Sequence, residues 1–219
     1  MTIICLEGAS GIGKSTASNY MEREYGYVRI PEVNELFERS SNEPDDWYFR
    51  MQVKRWELAK TESELGKVAI LDGDHLQPVW YNWIFDDLNF QPVNEVLDFY
   101  SKAFLQSLLD FPDAYVLLHV GIDELRARKN NDKSRKRSNF DMHLRLIEPQ
   151  REYFESLLSG GHEGVSFIDA TSPMAIGNYC RNIEKTVLTK KPGFDVVEAY
   201  IKSKVTSKGK GREKAAPML

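Results

Sequence analysis

The chain has few cysteines, no long apolar run and no large excess of one charge, and each shortage removes a class of protein. Only Cys5 and Cys180 occur among 219 residues. They stand far apart, and Cys5 falls in an apolar run of strand length, so two reduced packing residues are expected rather than a disulfide. No stretch approaches the ~18 apolar residues that would span a bilayer. No basic region followed by a long apolar segment opens the chain, so the cytoplasm is the expected location. The formal net charge of −4 gives no reason to expect nucleic acid or an anionic membrane as the main partner. None of His75, His119, His143 and His162 shares a metal-ligand spacing with a Cys or another His, which leaves no zinc site indicated. What remains is a chain with 42% hydrophobic and 28% charged residues. That is the profile of a globular protein with one substantial core and room for a lid or tail.

Residues Gly8-Ala9-Ser10-Gly11-Ile12-Gly13-Lys14-Ser15 fit the phosphate-loop pattern G-x-x-x-x-G-K-[ST] without a mismatch. The apolar run at 2–6 reads as the strand before the loop, and residues 16–24, from Thr16, as the helix after it. That context turns a string match into a mechanism. Glycines let backbone N–H groups converge on a polyphosphate, and the helix N-terminus adds favourable partial charge. Lys14 would contact the β- and γ-phosphates, and the Ser15 hydroxyl would ligate Mg²⁺. The expected ligand is a nucleoside triphosphate.

Four further strands alternate with helices: 27–30, 67–71, 114–120 and 165–168 read as strands. Residues 45–65, 93–110, 123–129, 141–158 and 173–188 read as helices, with a kink expected at Pro149. An aromatic segment (Trp80, Tyr81, Trp83, Phe85) suits a pocket for a second ligand, the core or a dimer surface, which leaves a homodimer open. The pattern predicts an α/β fold, a five-stranded parallel sheet flanked by helices, with ligands at the strand C-terminal ends. Residues 1–188 are expected to form the domain. Residues 189–219 are Lys-rich and read as a solvated, partly disordered tail.

Several side chains fall at those strand ends. Asp72 is a candidate Mg²⁺ ligand beside Ser15, held directly or through water. Asp74 could share that role or orient the acceptor, although an Asp-Gly turn also favours these residues. Glu32 closes the second strand beside Pro31 and is the leading candidate for a general base that takes a proton from an attacking hydroxyl, with Asp72 or Asp74 as its rivals. Phe49, Gln52 and Trp56 share one helical face. The aromatics alone would be core, whereas an amide between them either reads a heterocyclic base or sits at the margin in solvent. Arg126, Arg128, Arg135, Lys136 and Arg137 cluster in a run expected to close as a lid over 126–140, where guanidinium groups stabilise a transferring phosphoryl.

In this order the residues resemble the branch of phosphate-loop kinases that contains deoxynucleoside kinases and thymidylate kinase. The likeness begins at Leu6-Glu7-Gly8 and runs through Ser15-Thr16. It continues at Glu32, placed like the glutamate that acts as general base in that group. Trp47-Tyr48-Phe49-Arg50-Met51-Gln52 is similar to the helix whose glutamine pairs with the substrate base. Arg135-Lys136-Arg137 is similar to the Arg-rich lid, and Asp169-Ala170-Thr171 to the adenine-side loop. The resemblance implies an ATP- and Mg²⁺-dependent kinase of a small-molecule acceptor. Phe49, Gln52, Trp56, Asp74 and Trp80 would then lie on the acceptor side, and Arg128 and Thr171 on the ATP side.

Two departures bear on the acceptor. Deoxynucleoside kinases carry Asp-Arg or Glu-Arg at the end of strand three, where this chain has Asp72-Gly73-Asp74-His75. The stretch from Gln77 to Trp83 also has no counterpart in that pattern. A nucleoside or similar hydroxyl compound is therefore one expectation. A nucleoside monophosphate kinase, with Arg29, Arg39 and Arg50 available for an acceptor phosphate, is a second. Kinases of antibiotics or other small alcohols are a third, and a regulatory ATP-binding module a fourth. A guanine-specific switch is not indicated, because no Asn-Lys-x-Asp element follows a strand.

Overall fold

A computed structural model describes residues 2–88, 90–132, 140–185 and 190–213. Five strands, β1 (Thr2–Glu7), β2 (Val28–Ile30), β3 (Val68–Asp72), β4 (Ala114–His119) and β5 (Val165–Asp169), form one parallel sheet in the order β2-β3-β1-β4-β5. The first strand is central. From β1 the chain first runs out to β2 at the edge and comes back to β3 beside β1, then crosses to the other side as β4 and β5. The C-terminal end of β1 is therefore the point where the winding reverses, which in open α/β sheets opens a crevice.

Alternation along the strands sorts side chains into two layers. Ile3 and Cys5 of β1 join Ala69, Leu71, Tyr115 and Leu117 in one apolar layer. This layer is covered by α3 (Trp47–Glu64), α4 (Gln77–Ile84), α5 (Val93–Leu105) and α8 (Ile147–Ser159). Ile4 and Leu6 join Val68, Ile70, Ala114 and Val116 in the other. That second layer is covered by α1 (Lys14–Tyr25) and α9 (Pro173–Glu184). The central strands are buried on both faces, as a parallel sheet between helical layers requires. Cys5 and Cys180 are free and buried, one in each layer.

The remaining helices are α2 (Val33–Leu36), α6 (Ile122–Asn131), α7 (Phe140–Leu144) and α10 (Asp195–Glu213). Two expectations are corrected. Residues 141–158 are not one helix kinked at Pro149. The chain breaks between α7 and α8, and Pro149 sits in the first turn of α8, where its missing N–H has no helical partner to lose. The end of the chain is not solvated from residue 189 onward. Phe194, Val197 and Ile201 at the start of α10 are buried against the first layer. Their apolar spacing is short and lies within a Lys-rich stretch, which hid it.

Candidate active site

The loop after β1 is shaped by its glycines. Gly8 has φ 143°, and a Cβ there would lie 2.6 Å from the Leu118 carbonyl oxygen, so no side chain fits. Gly13 takes φ 110° at the position that starts α1, a conformation that L side chains avoid. The resulting loop lines a cavity of about 800 Å³ with all of Gly8, Ala9, Ser10, Gly11, Ile12, Gly13, Lys14, Ser15 and Thr16 on its wall. Lys14 Nζ donates to the Gly8 carbonyl at 2.7 Å and lies 3.7 Å from Glu7 Oε1. Burial alone would pull its pKa down, but Glu7, Glu32 and Asp72 together hold it above the ordinary lysine value. It stays charged.

Three carboxylates meet on the cavity wall around Gly73. Glu7 is buried beneath it, its Oε1 accepting from Gly8 N and its Oε2 from Asp74 N, both at 2.7 Å. Gly73 lies between Glu7 and Glu32: a Cβ there would stand 3.8 Å from Glu7 Oε2 and 3.5 Å from Glu32 Oε1. Unlike its neighbours, the Glu32 side chain is exposed on the cavity and makes no hydrogen bond or ion pair among the described residues. Asp74 is fully enclosed. Its oxygens accept from Leu76 N, Trp80 Nε1 and Tyr115 Oη at 3.0, 3.0 and 3.2 Å. Burial, reinforced by Glu7, pushes its pKa up to about 7. Asp74 and Trp80 thus sit together in the cavity wall, as members of one hydrogen-bonded unit.

Asp72 is placed differently from expectation. It is the last residue of β3 and, by strand alternation, turns toward α1 rather than into the cavity. Its Oδ2 accepts from Arg29 Nη2 at 2.7 Å, and Ser18 Oγ is 3.5 Å away. A direct metal-ligand role is corrected to an ion pair behind the loop, while Ser15 does face the cavity. Among the described residues no group of three His, Cys, Asp or Glu is arranged to hold a metal ion.

The base-reading face is also corrected. Phe49, Gln52 and Trp56 do not line the cavity. Phe49 packs against Phe99 and Tyr100, and Trp56 stacks on His75 at 4.7 Å. Gln52 accepts from Arg55 Nη1 at 2.6 Å. Its helix turns one residue further than expected, so Tyr48 and Arg55 reach the cavity instead. Arg55 is held there by the carbonyls of Asp72 and Gly73, each 3.1 Å from Nη2. An arginine beside the end of β3 is thus present, carried by α3.

At the opposite end, Arg128 bridges the loop to the chain after β5, donating to Ile12 O at 2.8 Å and Ala170 O at 2.6 Å. Thr171 lies beside it on the wall, next to Ser172, which caps α9 by accepting from Ala175 N at 3.1 Å. Arg135, Lys136 and Arg137 lie outside the described residues, as does the middle of the expected lid, 133–139; Arg126 pairs with Asp123 on the surface. Arg29, Arg39 and Arg50 are absent from the cavity wall and pair with Asp72 and Glu35, with Glu43, and with Asp46 respectively. Sequence reasoning passed over Glu7, Arg55, Gln77, His143 and Gln150, all on the wall. Glu7 alone carried a signal, an acidic residue closing an apolar strand at the loop.

No family model and no curated protein matches the chain. Solved structures do. A deoxyadenosine kinase from M. mycoides with products dCMP and a flexible dCDP bound aligns with TM-score 0.56 and 18% identity, over 84% of this chain and 99% of that one. The same kinase with bound dATP gives 0.55 and 19%, over 83% and 100%. Thymidylate kinase from Candida albicans gives 0.55 and 17%, over 84% and 91%. The fold is that of the phosphate-loop nucleoside and nucleotide kinases. At these identities the likeness carries the architecture, and the chemistry rests on the residues at the cavity.

Proposed function

We propose that the protein is an ATP-dependent kinase that phosphorylates a hydroxyl group of a small molecule, with a nucleoside or nucleoside-like compound as the leading acceptor. The observation that carries this reading is the pairing of Lys14 on a complete phosphate loop with Glu32, a carboxylate left unengaged on the same cavity. Every other carboxylate near the loop is already tied to protein donors. In this reading the loop N–H groups and Lys14 hold the triphosphate, and Arg128 and Thr171 flank its nucleoside end. Mg²⁺ enters with ATP as part of the co-substrate. Ser15 would supply the protein's hydroxyl ligand to that ion, which would offset the charge of the phosphates.

Glu32 takes the acceptor's hydroxyl proton as the oxygen bonds to the γ-phosphorus, and the bond from that phosphorus to the β-bridging oxygen breaks. ADP leaves with its new charge facing Lys14 and the loop. The charge of Lys14 is therefore needed at the end of the reaction as well as at its start. Arg55 anchors the carbonyls of Asp72 and Gly73, which fixes the wall beside Glu32.

The test is an acceptor screen with ATP and Mg²⁺, using ribonucleosides, deoxynucleosides, their 5′-monophosphates, shikimate and hydroxylated antibiotics. ADP release and phosphorylated product are measured together, with Lys14→Ala as the control. Expected is acceptor-dependent ADP release that falls by roughly a hundred-fold or more in Lys14→Ala. Unchanged turnover in that variant, or no acceptor dependence at all, would remove the kinase reading.

A further inference from the structure

The inner face of α8 is formed by Gln150, Tyr153, Phe154 and Leu157, at helical spacing. Three of these close the core. Gln150 is the exception, an amide that is only 4% exposed and stands on the cavity wall. No described residue hydrogen-bonds its side chain. The amide brings two donors and two acceptor lone pairs, and on the cavity wall these are available to a ligand. The same cavity is lined by Gln77, at the start of α4, whose Oε1 accepts from Tyr48 Oη at 3.0 Å. That bond fixes the orientation of the amide and leaves Nε2 as a donor. Beside them the Tyr81 hydroxyl and His143 Nε2 are 3.3 Å apart.

Beyond the triphosphate that Lys14 and the loop would hold, the described wall offers no unengaged cation to a second anion. Its described cations are Lys14, Arg55 and Arg128, and each is already bound to carbonyl or carboxylate oxygens of the protein. Its carboxylates include Glu7, Glu32 and Asp74. Burial, and then the charge of Lys14, lowers the pKa of His143, so its imidazole adds no positive charge at neutral pH.

We infer that Gln150, with Gln77, is the specificity-determining amide of the acceptor site, and that it reads an uncharged polar ring compound rather than a phosphorylated one. This rests on the kinase reading above. Gln150 supplies both a donor and an acceptor, Gln77 a donor only, so the ring must offer hydrogen-bonding atoms of both kinds. The two amides stand on α4 and α8, away from the α3 face that the sequence suggested.

The experiment uses the full chain with ATP, Mg²⁺, four uncharged deoxynucleosides, their 5′-monophosphates and uncharged hydroxylated antibiotics. The fastest acceptor is then followed in wild type, Gln150→Met and Gln77→Met. Methionine keeps the volume and removes the hydrogen bonds. Expected for Gln150→Met is an acceptor KM raised roughly ten- to a hundred-fold, with kcat at saturation and the ATP KM within about three-fold. Its melting temperature should stay near the wild-type value, because the amide faces the cavity and is bonded by no described residue. A purely structural Gln150 would instead lower the melting temperature and leave the acceptor KM unchanged, which overturns the assignment. Preference for a monophosphate would overturn the uncharged acceptor while leaving the kinase reading intact. Failure of every compound to be phosphorylated would remove the kinase reading, and this inference with it.

Discussion

Arg29 donates to Asp72 Oδ2 through both Nε and Nη2, at 3.1 and 2.7 Å, and holds Glu35 with the same guanidinium at 2.6 and 2.8 Å. The Asp72 side chain is fully buried and that of Arg29 is 10% exposed. This pair ties the ends of β2 and β3 together directly behind the phosphate loop. It also explains why Asp72 is not a free carboxylate at the site: it is engaged in joining the edge strand β2 to its neighbour β3.

Asp72→Asn should therefore act on stability before it acts on the metal. Removing one charge from a buried pair costs roughly 3–5 kcal/mol, and the lower end is expected because Arg29 keeps Glu35. Urea unfolding should show that loss, while the Mg²⁺ concentration needed for half-maximal turnover stays near wild type. A large rise in the Mg²⁺ requirement with unchanged stability would return Asp72 to the metal.

Gln52→Leu is expected to behave as a core substitution. Its Oε1 is an acceptor for Arg55 Nη1, and both residues are about 1% exposed. Losing that acceptor leaves a buried charged donor unmade, a cost on the order of 1–3 kcal/mol. Thermal melts should register it, and relative rates across different acceptors should keep their order. A change of acceptor preference without a loss of stability would put Gln52 back at the base.

The fold was legible because its signals are periodic or local. Each strand is an apolar run between polar punctuation, and the phosphate loop needs only eight adjacent residues. Glu32 was legible for the same reason, as a carboxylate at a strand end. The acceptor side was not. A helical face says which residues share a direction, but whether Gln52 or Arg55 meets the cavity depends on a rotation of α3 set by its packing on Trp56, His75 and Phe49. Asp72 could have been placed by strand alternation, since Leu71 belongs to the opposite layer. Gln150 needed a break between α7 and α8 that a single Pro149 does not specify.

Glu32→Gln should separate chemistry from binding. The carboxylate has no structural partner to lose among the described residues, so the melting temperature should move little. Losing a general base lowers kcat by roughly 10²–10⁴-fold. ATP affinity, measured by calorimetry without acceptor, should change by less than about three-fold. A variant with near-normal kcat would transfer the role of base to Asp74, whose pKa burial raises to about 7.

Asp74 gives the last expectation, and its sign is fixed by linkage. Burial first, and Glu7 second, raise its folded pKa to about 7 from an ordinary 3.8. The folded state therefore binds this proton more tightly than the unfolded chain. Its contribution to stability is full below pH ~4 and is lost as pH rises toward 7, since the unfolded chain releases the proton first. Asp74→Asn has no such proton. It also places an amide N–H among the donors Leu76 N, Trp80 Nε1 and Tyr115 Oη, which lowers stability by an amount that does not depend on pH. Urea midpoints at several pH values between 4.5 and 7.5 test both effects. The wild type should lose stability relative to the variant across that window, by up to a few kcal/mol. Parallel profiles would show that Asp74 is ionised throughout, and that its three donors outweigh its burial.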